Sequence, residues 1–172
     1  MNPRAVLVGP PGAGKTTIGE LLARRLGLSF RDVDADITAT AGKPISDIFT
    51  EDGEEAFRRL EEHAVATGLT EHDGVLALGA GAVLAERTRH RLAGHAVVFL
   101  HVGLAEGVRR TGLSTARPLL AGVNPRATWK ALLDARLPLY REVATVEVGT
   151  DGREPDDVVD AVVSALTAKG EL

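Results

Sequence analysis

The segment Gly9-Pro10-Pro11-Gly12-Ala13-Gly14-Lys15-Thr16 sets two glycines, a lysine and a threonine at the spacing G-x-x-x-x-G-K-[ST]. Glycines let successive backbone N–H groups curl around an anion, and a helix that begins there adds its partial positive charge. Lys15 can reach the outer phosphates of a nucleotide, and Thr16 offers a hydroxyl to Mg²⁺. A glycine-rich turn with no ligand would carry some of the same residues, so context has to decide. Before the loop, Ala5-Val6-Leu7-Val8 is a short apolar run of strand type. After it, Ile18, Leu21, Leu22 and Leu26 recur at helical spacing. Strand, loop and helix in that order predict a nucleoside triphosphate site, with Gly12, Ala13, Gly14, Lys15, Thr16 and Thr17 around the phosphates.

Three further groups of residues could supply chemistry. Asp32 and Asp34 end a second short strand, Leu28 to Asp34, and in extended chain both carboxylates would face one side, towards a metal and an acceptor hydroxyl. Acids there serve equally as helix caps. Gly79-Ala80-Gly81 follows a third run; its small residues admit a ligand close to the backbone, or simply make a tight turn. Arg58, Arg110, Arg117 and Arg136 are the arginines of interest. Arg58 has Glu54 and Glu62 at i±4, which a solvated ion pair would explain, and Glu61 nearby to orient it. Arg117, beside Pro118 in an irregular stretch, is placed as a lid arginine would be.

The elements that must position these residues alternate. Strands are expected at 5–8, 28–34, 75–78, 96–100 and 145–148. Helices are expected after the phosphate loop, over 45–69 with a break near Asp52-Gly53, up to Arg110, over 127–143 despite Pro138, and over 156–168. That order predicts an α/β/α three-layer domain on a five-stranded parallel sheet, with ligands at the carboxyl ends of its strands. The 172 residues suit one such domain. No run is apolar enough to cross a bilayer, no leader is expected ahead of the first strand, and the absence of cysteine rules out thiolate chemistry and fits a cytoplasmic protein. A net charge of −4 argues against a nucleic-acid partner. The five histidines show no metal-ligand spacing and read as surface or packing residues, and Trp129 as packing for the helix that follows the irregular stretch. Nothing signals a large apolar interface, so a monomer is expected.

Taken in order, Gly9 to Thr16, Asp32-Val33-Asp34, Ile48-Phe49, Gly53-Glu54, Phe57-Arg58, Gly79 to Val83, Arg117-Pro118-Leu119-Leu120 and Arg136-x-x-x-Tyr140 resemble the shikimate kinases over most of the chain. That resemblance implies a P-loop kinase fold with a lid at about 112–124 and a substrate-binding helical segment at about 35–69. It implies ATP-dependent phosphorylation of the 3-hydroxyl of shikimate. By the same resemblance, Lys15, Asp34 and Arg117 act in catalysis, while Thr16 and, through water, Asp32 hold Mg²⁺. Asp34, Arg58, Gly79, Ala80, Gly81 and Arg136 would bind shikimate, the two arginines gripping its carboxylate. Arg110 and Pro155 would flank adenine. The family usually has glycine where this chain has Ala80; a negative φ there would leave the site intact with a narrower pocket, and a positive φ would strain it. Rival readings are another small-molecule kinase of this fold, acting on gluconate or a nucleoside monophosphate, and a nucleotide-binding module without catalysis.

Overall fold

The computed structural model describes residues 2–111 and 125–172. Five parallel strands, β1 (Ala5–Val8), β2 (Phe30–Asp32), β3 (Val75–Ala77), β4 (Val97–His101) and β5 (Val146–Gly149), lie in the order β2-β3-β1-β4-β5. Their side chains alternate between the faces, as the period of two requires. Ala5, Leu7, Val75, Ala77, Val98 and Leu100 enter one apolar cluster, and Val6, Val8, Leu76, Leu78, Val97 and Phe99 the other. Burial on both faces explains why β1, β3 and β4 read as unbroken apolar runs, whereas the edge strands β2 and β5 carry Arg31, Asp32 and Glu147.

Helices α1 (Lys15–Leu26) and α8 (Pro155–Ala168) cover the first face, using Ile18, Leu22, Val158, Val162 and Leu166. The second face takes α2 (Val33–Ala41), α3 (Ile45–Glu51), α4 (Glu54–Glu71) and α5 (Glu86–Leu92), through Ile37, Ile48, Phe57, Val65, Leu69 and Leu92. After β4 runs α6 (Leu104–Thr111), and α7 (Pro125–Val143) completes the set. Trp129 of α7 belongs to the first cluster and Tyr140 to the second, so this one helix reaches both layers. It continues through Pro138, as expected from the sequence.

One expectation needs correction, and one helix goes unforeseen. The second strand stops at Asp32; Val33 and Asp34 already form the first turn of α2, so the two carboxylates are not same-face neighbours on a strand. The reason is a cap: Asp32 Oδ1 accepts a hydrogen bond from the Asp34 N–H at 2.9 Å, which satisfies an orphan helix donor. The short helix α5 was not legible either, because Glu-Arg-Thr-Arg-His-Arg-Leu carries too few apolar residues to show a period.

The parallel sheet brings the chemistry together. β3 lies between β1 and β2, with Leu7 and Asp32 both in register with Ala77. The carboxyl ends of β1, β2 and β3 therefore open side by side onto the phosphate loop, Asp32 and the Gly79–Gly81 turn.

Candidate active site

The phosphate loop is built as the motif requires. Gly12 (φ 80°) and Gly14 (φ 89°) take left-handed conformations that a side chain would strain, and Gly14 directly precedes α1. Lys15 is buried, and its ammonium donates to the carbonyls of Gly9 (2.7 Å) and Pro10 (3.0 Å), so it lies along the loop itself. A pocket of about 340 Å³ adjoins the loop, lined by Gly12, Ala13, Gly14, Thr17, Arg110 and Pro155 among others. Arg110 closes one side of it, donating to the Gly12 carbonyl at 2.8 Å and pairing with Glu106 at 2.8 Å. Trp129 Nε1 donates to the Pro11 carbonyl at 3.3 Å, which ties α7 to the loop. That link is more specific than the helix packing expected of this residue.

Thr16 and Asp32 meet: the threonine hydroxyl donates to Asp32 Oδ2 at 3.3 Å, while Oδ1 serves as the cap. Burial, and next the neighbouring Asp34 carboxylate, push the Asp32 carboxyl above its ordinary range. Among the described residues no group of three or more His, Cys, Asp or Glu could cage a metal. An adjacent hydroxyl and carboxylate nevertheless suit Mg²⁺, which takes one or two protein oxygens and leaves its other positions to phosphate and water.

On the far side of the strand ends, Arg58, Glu61, Asp34 and Arg136 converge. Glu61 is 3% exposed and accepts from Arg58 Nη1 at 2.8 Å. Burial pushes its carboxyl upward, against the attraction of Arg58 and Arg136, while Asp34 repels it. The solvated pair expected for Arg58 is therefore secondary: Glu54 lies at 3.4 Å, and Glu62 faces Arg87 and Arg91 instead. Sequence spacing named Glu61 but could not show that it is buried. Arg136, from α7, is 5% exposed and makes no side-chain hydrogen bond or ion pair among the described residues. Phe49 and Phe57, their ring centroids 4.7 Å apart, form an apolar wall, with the Arg58 guanidinium 5.2 Å from the Phe57 ring.

The glycines of the turn are there for room. Gly81 has φ −95°, and Gly79 does not take a positive φ either. A Cβ on Gly79 would stand 2.8 Å from both Asp34 Oδ1 and Glu61 Oε2, and one on Gly81 would overlap the Arg58 guanidinium. Ala80 also avoids positive φ, so the alanine carries no backbone strain there. Its carbonyl accepts from the Tyr140 hydroxyl at 2.6 Å. Arg117 and the expected lid, 112–124, lie outside the described residues. His72 packs as expected, buried with Nε2 near the Ser29 and Val75 carbonyls.

A phosphate loop at the end of a central parallel strand, with an acid and two arginines gathered beside it, defines a P-loop phosphotransferase acting on a small anionic molecule. The family model for shikimate kinase matches residues 11–167. A shikimate kinase from Saccharopolyspora erythraea is 71% identical over 168 residues, covering 98% of this chain and 96% of that protein. One from Salinispora arenicola is 60% identical, covering 98% and 100%. The solved shikimate kinase from Acinetobacter baumannii, in complex with shikimate, superposes with a TM-score of 0.94 at 35% identity, covering 98% and 94%. This chain belongs to the shikimate kinase family. A gluconokinase from Sinorhizobium meliloti superposes with a TM-score of 0.59 at 22% identity over 97% and 93% of the chains, which is likeness of fold alone.

Proposed function

We propose that this chain transfers the γ-phosphoryl group of ATP to the 3-hydroxyl of shikimate, giving shikimate 3-phosphate and ADP on the route to chorismate and the aromatic amino acids. The observation that carries this reading is the convergence of Arg58 and Arg136 on the buried Glu61, with Arg58 and Glu61 set against the Gly79–Gly81 turn. A guanidinium offers parallel donors to a planar carboxylate, so two of them select an anionic acceptor. A neutral polyol such as a hexose would leave them unmatched, at about 1–3 kcal/mol each.

Each residue then has a role. Lys15 moves from the loop carbonyls to the outer phosphates, where its charge offsets that gathering on the transferring group. Arg110 and Pro155 hold the adenine between them, and Thr17 lines the same pocket. Thr16 and, through water, Asp32 would hold Mg²⁺, which would supply charge neutralisation to the nucleotide phosphates. Asp34 accepts a hydrogen bond from the 3-hydroxyl and aims it in line with the γ-phosphorus, and takes the proton as the new P–O bond forms and the bond to ADP breaks. Arg58 and Arg136 fix the carboxylate, and the N–H groups of the Gly79-Ala80-Gly81 turn take further polar groups of the substrate. Arg117 closes with the lid over the transferring phosphate and keeps water away.

The proposal extends to a single domain over residues 1–172, with the substrate-binding segment at 35–69, working as a monomer in the cytoplasm. In support, Leu84 is the one large hydrophobic side chain exposed among the described residues, and no described helix is long and apolar enough to cross a membrane. ADP release with Mg-ATP and shikimate, gluconate or nucleoside monophosphates tests the whole reading. Turnover should depend on shikimate and yield the 3-phosphate; activity with gluconate alone would overturn it. Arg136→Ala should raise shikimate KM by ten-fold or more and leave ATP KM within about two-fold, as loss of one charged hydrogen-bonding partner implies.

A further inference from the structure

Tyr140 is fully buried, yet its hydroxyl is used: it donates to the Ala80 carbonyl at 2.6 Å. Its ring stacks on Phe99, with centroids 5.0 Å apart and planes 26° from parallel. One helical turn earlier on α7 stands Arg136. The Ala80–Gly81 peptide is trans, so its carbonyl and its N–H point in opposite directions. A hydroxyl that holds the carbonyl therefore also fixes where the Gly81 N–H aims, on the side away from Tyr140. The N–H groups of Ala80 and Gly81 donate to no carbonyl among the described residues. Gly81 abuts the Arg58 guanidinium, so an N–H aimed from this peptide is aimed beside the carboxylate clamp.

We infer that Tyr140 is a positioning residue for the acceptor site, locking the Ala80–Gly81 peptide so that the Gly81 N–H is presented to substrate in register with Arg136. The inference rests on the shikimate reading above. One rigid helix thereby sets two substrate contacts, Arg136 by direct projection and the Gly81 N–H through the phenol. The ring supplies packing and the hydroxyl supplies aim, and the two are separable in experiment.

Tyr140→Phe keeps the stacked ring and removes only the hydroxyl. Shikimate KM should rise about ten-fold, with ATP KM within two-fold, because only the acceptor side loses an oriented donor. A fall in thermal midpoint with both KM values unchanged would assign the hydroxyl to packing alone and overturn the inference. A second measurement uses the unmutated chain. Tyr140 is the only tyrosine, so growth on 3-fluorotyrosine labels it alone. The single ¹⁹F resonance should move when shikimate is added and much less when ADP is added. Heat of shikimate binding by calorimetry without a ¹⁹F shift would overturn the role of Tyr140 and leave the shikimate reading intact. No heat of binding at all would overturn that reading, and this inference with it.

Discussion

Two carboxylates two residues apart carry different duties because of what surrounds each. Asp32 is held by a cap hydrogen bond and the Thr16 hydroxyl, and its carboxyl is raised by burial and then by Asp34. An acid raised in the fold contributes stability that is complete below its ordinary value, about 3.9, and lost as pH rises through its raised value. The same shift starts to protonate Asp32, and so to weaken its proposed contact with Mg²⁺, at a higher pH than for an ordinary aspartate. Apparent Mg²⁺ affinity, titrated against pH at fixed nucleotide, should therefore decline on acidification before the pH range of a free aspartate is reached. Asp32→Asn keeps the cap, since asparagine caps about as well as aspartate. It should lose roughly 100-fold or more in Mg-dependent turnover while its thermal midpoint at neutral pH is equal or higher. A large fall in midpoint would show that the carboxylate is chiefly structural. At Gly81 the constraint is steric: φ −95° suits alanine, but a Cβ would displace the Arg58 guanidinium. Gly81→Ala should raise shikimate KM at least ten-fold, and unchanged KM would mean that Arg58 sits elsewhere when substrate binds.

At the scale of elements, α7 links the two halves of the site. Trp129 near its start donates to Pro11 in the phosphate loop, while further along Tyr140 donates to Ala80 and Arg136 stands one turn before it, on the proposed acceptor side. Gly107 of α6 lets that indole lie against the helix, because a Cβ there would overlap the Trp129 ring. Trp129 is also the only tryptophan, so its fluorescence reports on the loop alone. Emission excited in the indole band should change on adding Mg-ADP. Trp129→Phe should destabilise the protein by about 1 kcal/mol through the lost hydrogen bond, plus some packing, a fall of about 2–4 °C per kcal/mol at this chain length. An emission spectrum indifferent to nucleotide would argue that the Pro11 contact does not register loop occupancy. By contrast, the exposed Arg25–Asp160 pair that joins α1 to α8 at 2.6 Å is a surface ion pair, of the kind worth about 0–1 kcal/mol.

Across the whole molecule, two apolar layers hang on one set of strands, Leu7 facing one and Leu76 the other. Leu7→Ala and Leu76→Ala should each cost about 2–5 kcal/mol, and both should lower a single calorimetric transition rather than split it, since neither layer exists without the shared sheet. Two resolved transitions would contradict that coupling. The phosphate loop was legible in the chain because its chemistry is local: consecutive N–H groups, a lysine and a helix start need only contiguous residues. The runs of β1, β3 and β4 were legible because burial on both faces makes them continuously apolar. The helix cap that takes Asp34 out of β2 was masked by the ambiguity of acids at a strand end, and the short α5 by its lack of a period. Glu61 looked in sequence like one more charge on a solvated helix, since helical spacing gives which residues are neighbours along a helix but not which face another element covers. Its burial, the closeness of Gly79 to two carboxylates and the Tyr140 bond to Ala80 join residues up to 60 positions apart. Contiguous residues were enough to specify the strand–loop–helix nucleotide site and the parallel sheet. Which acid caps, which arginine is buried and which helix reaches both layers depend on packing between distant segments, which no local pattern encodes.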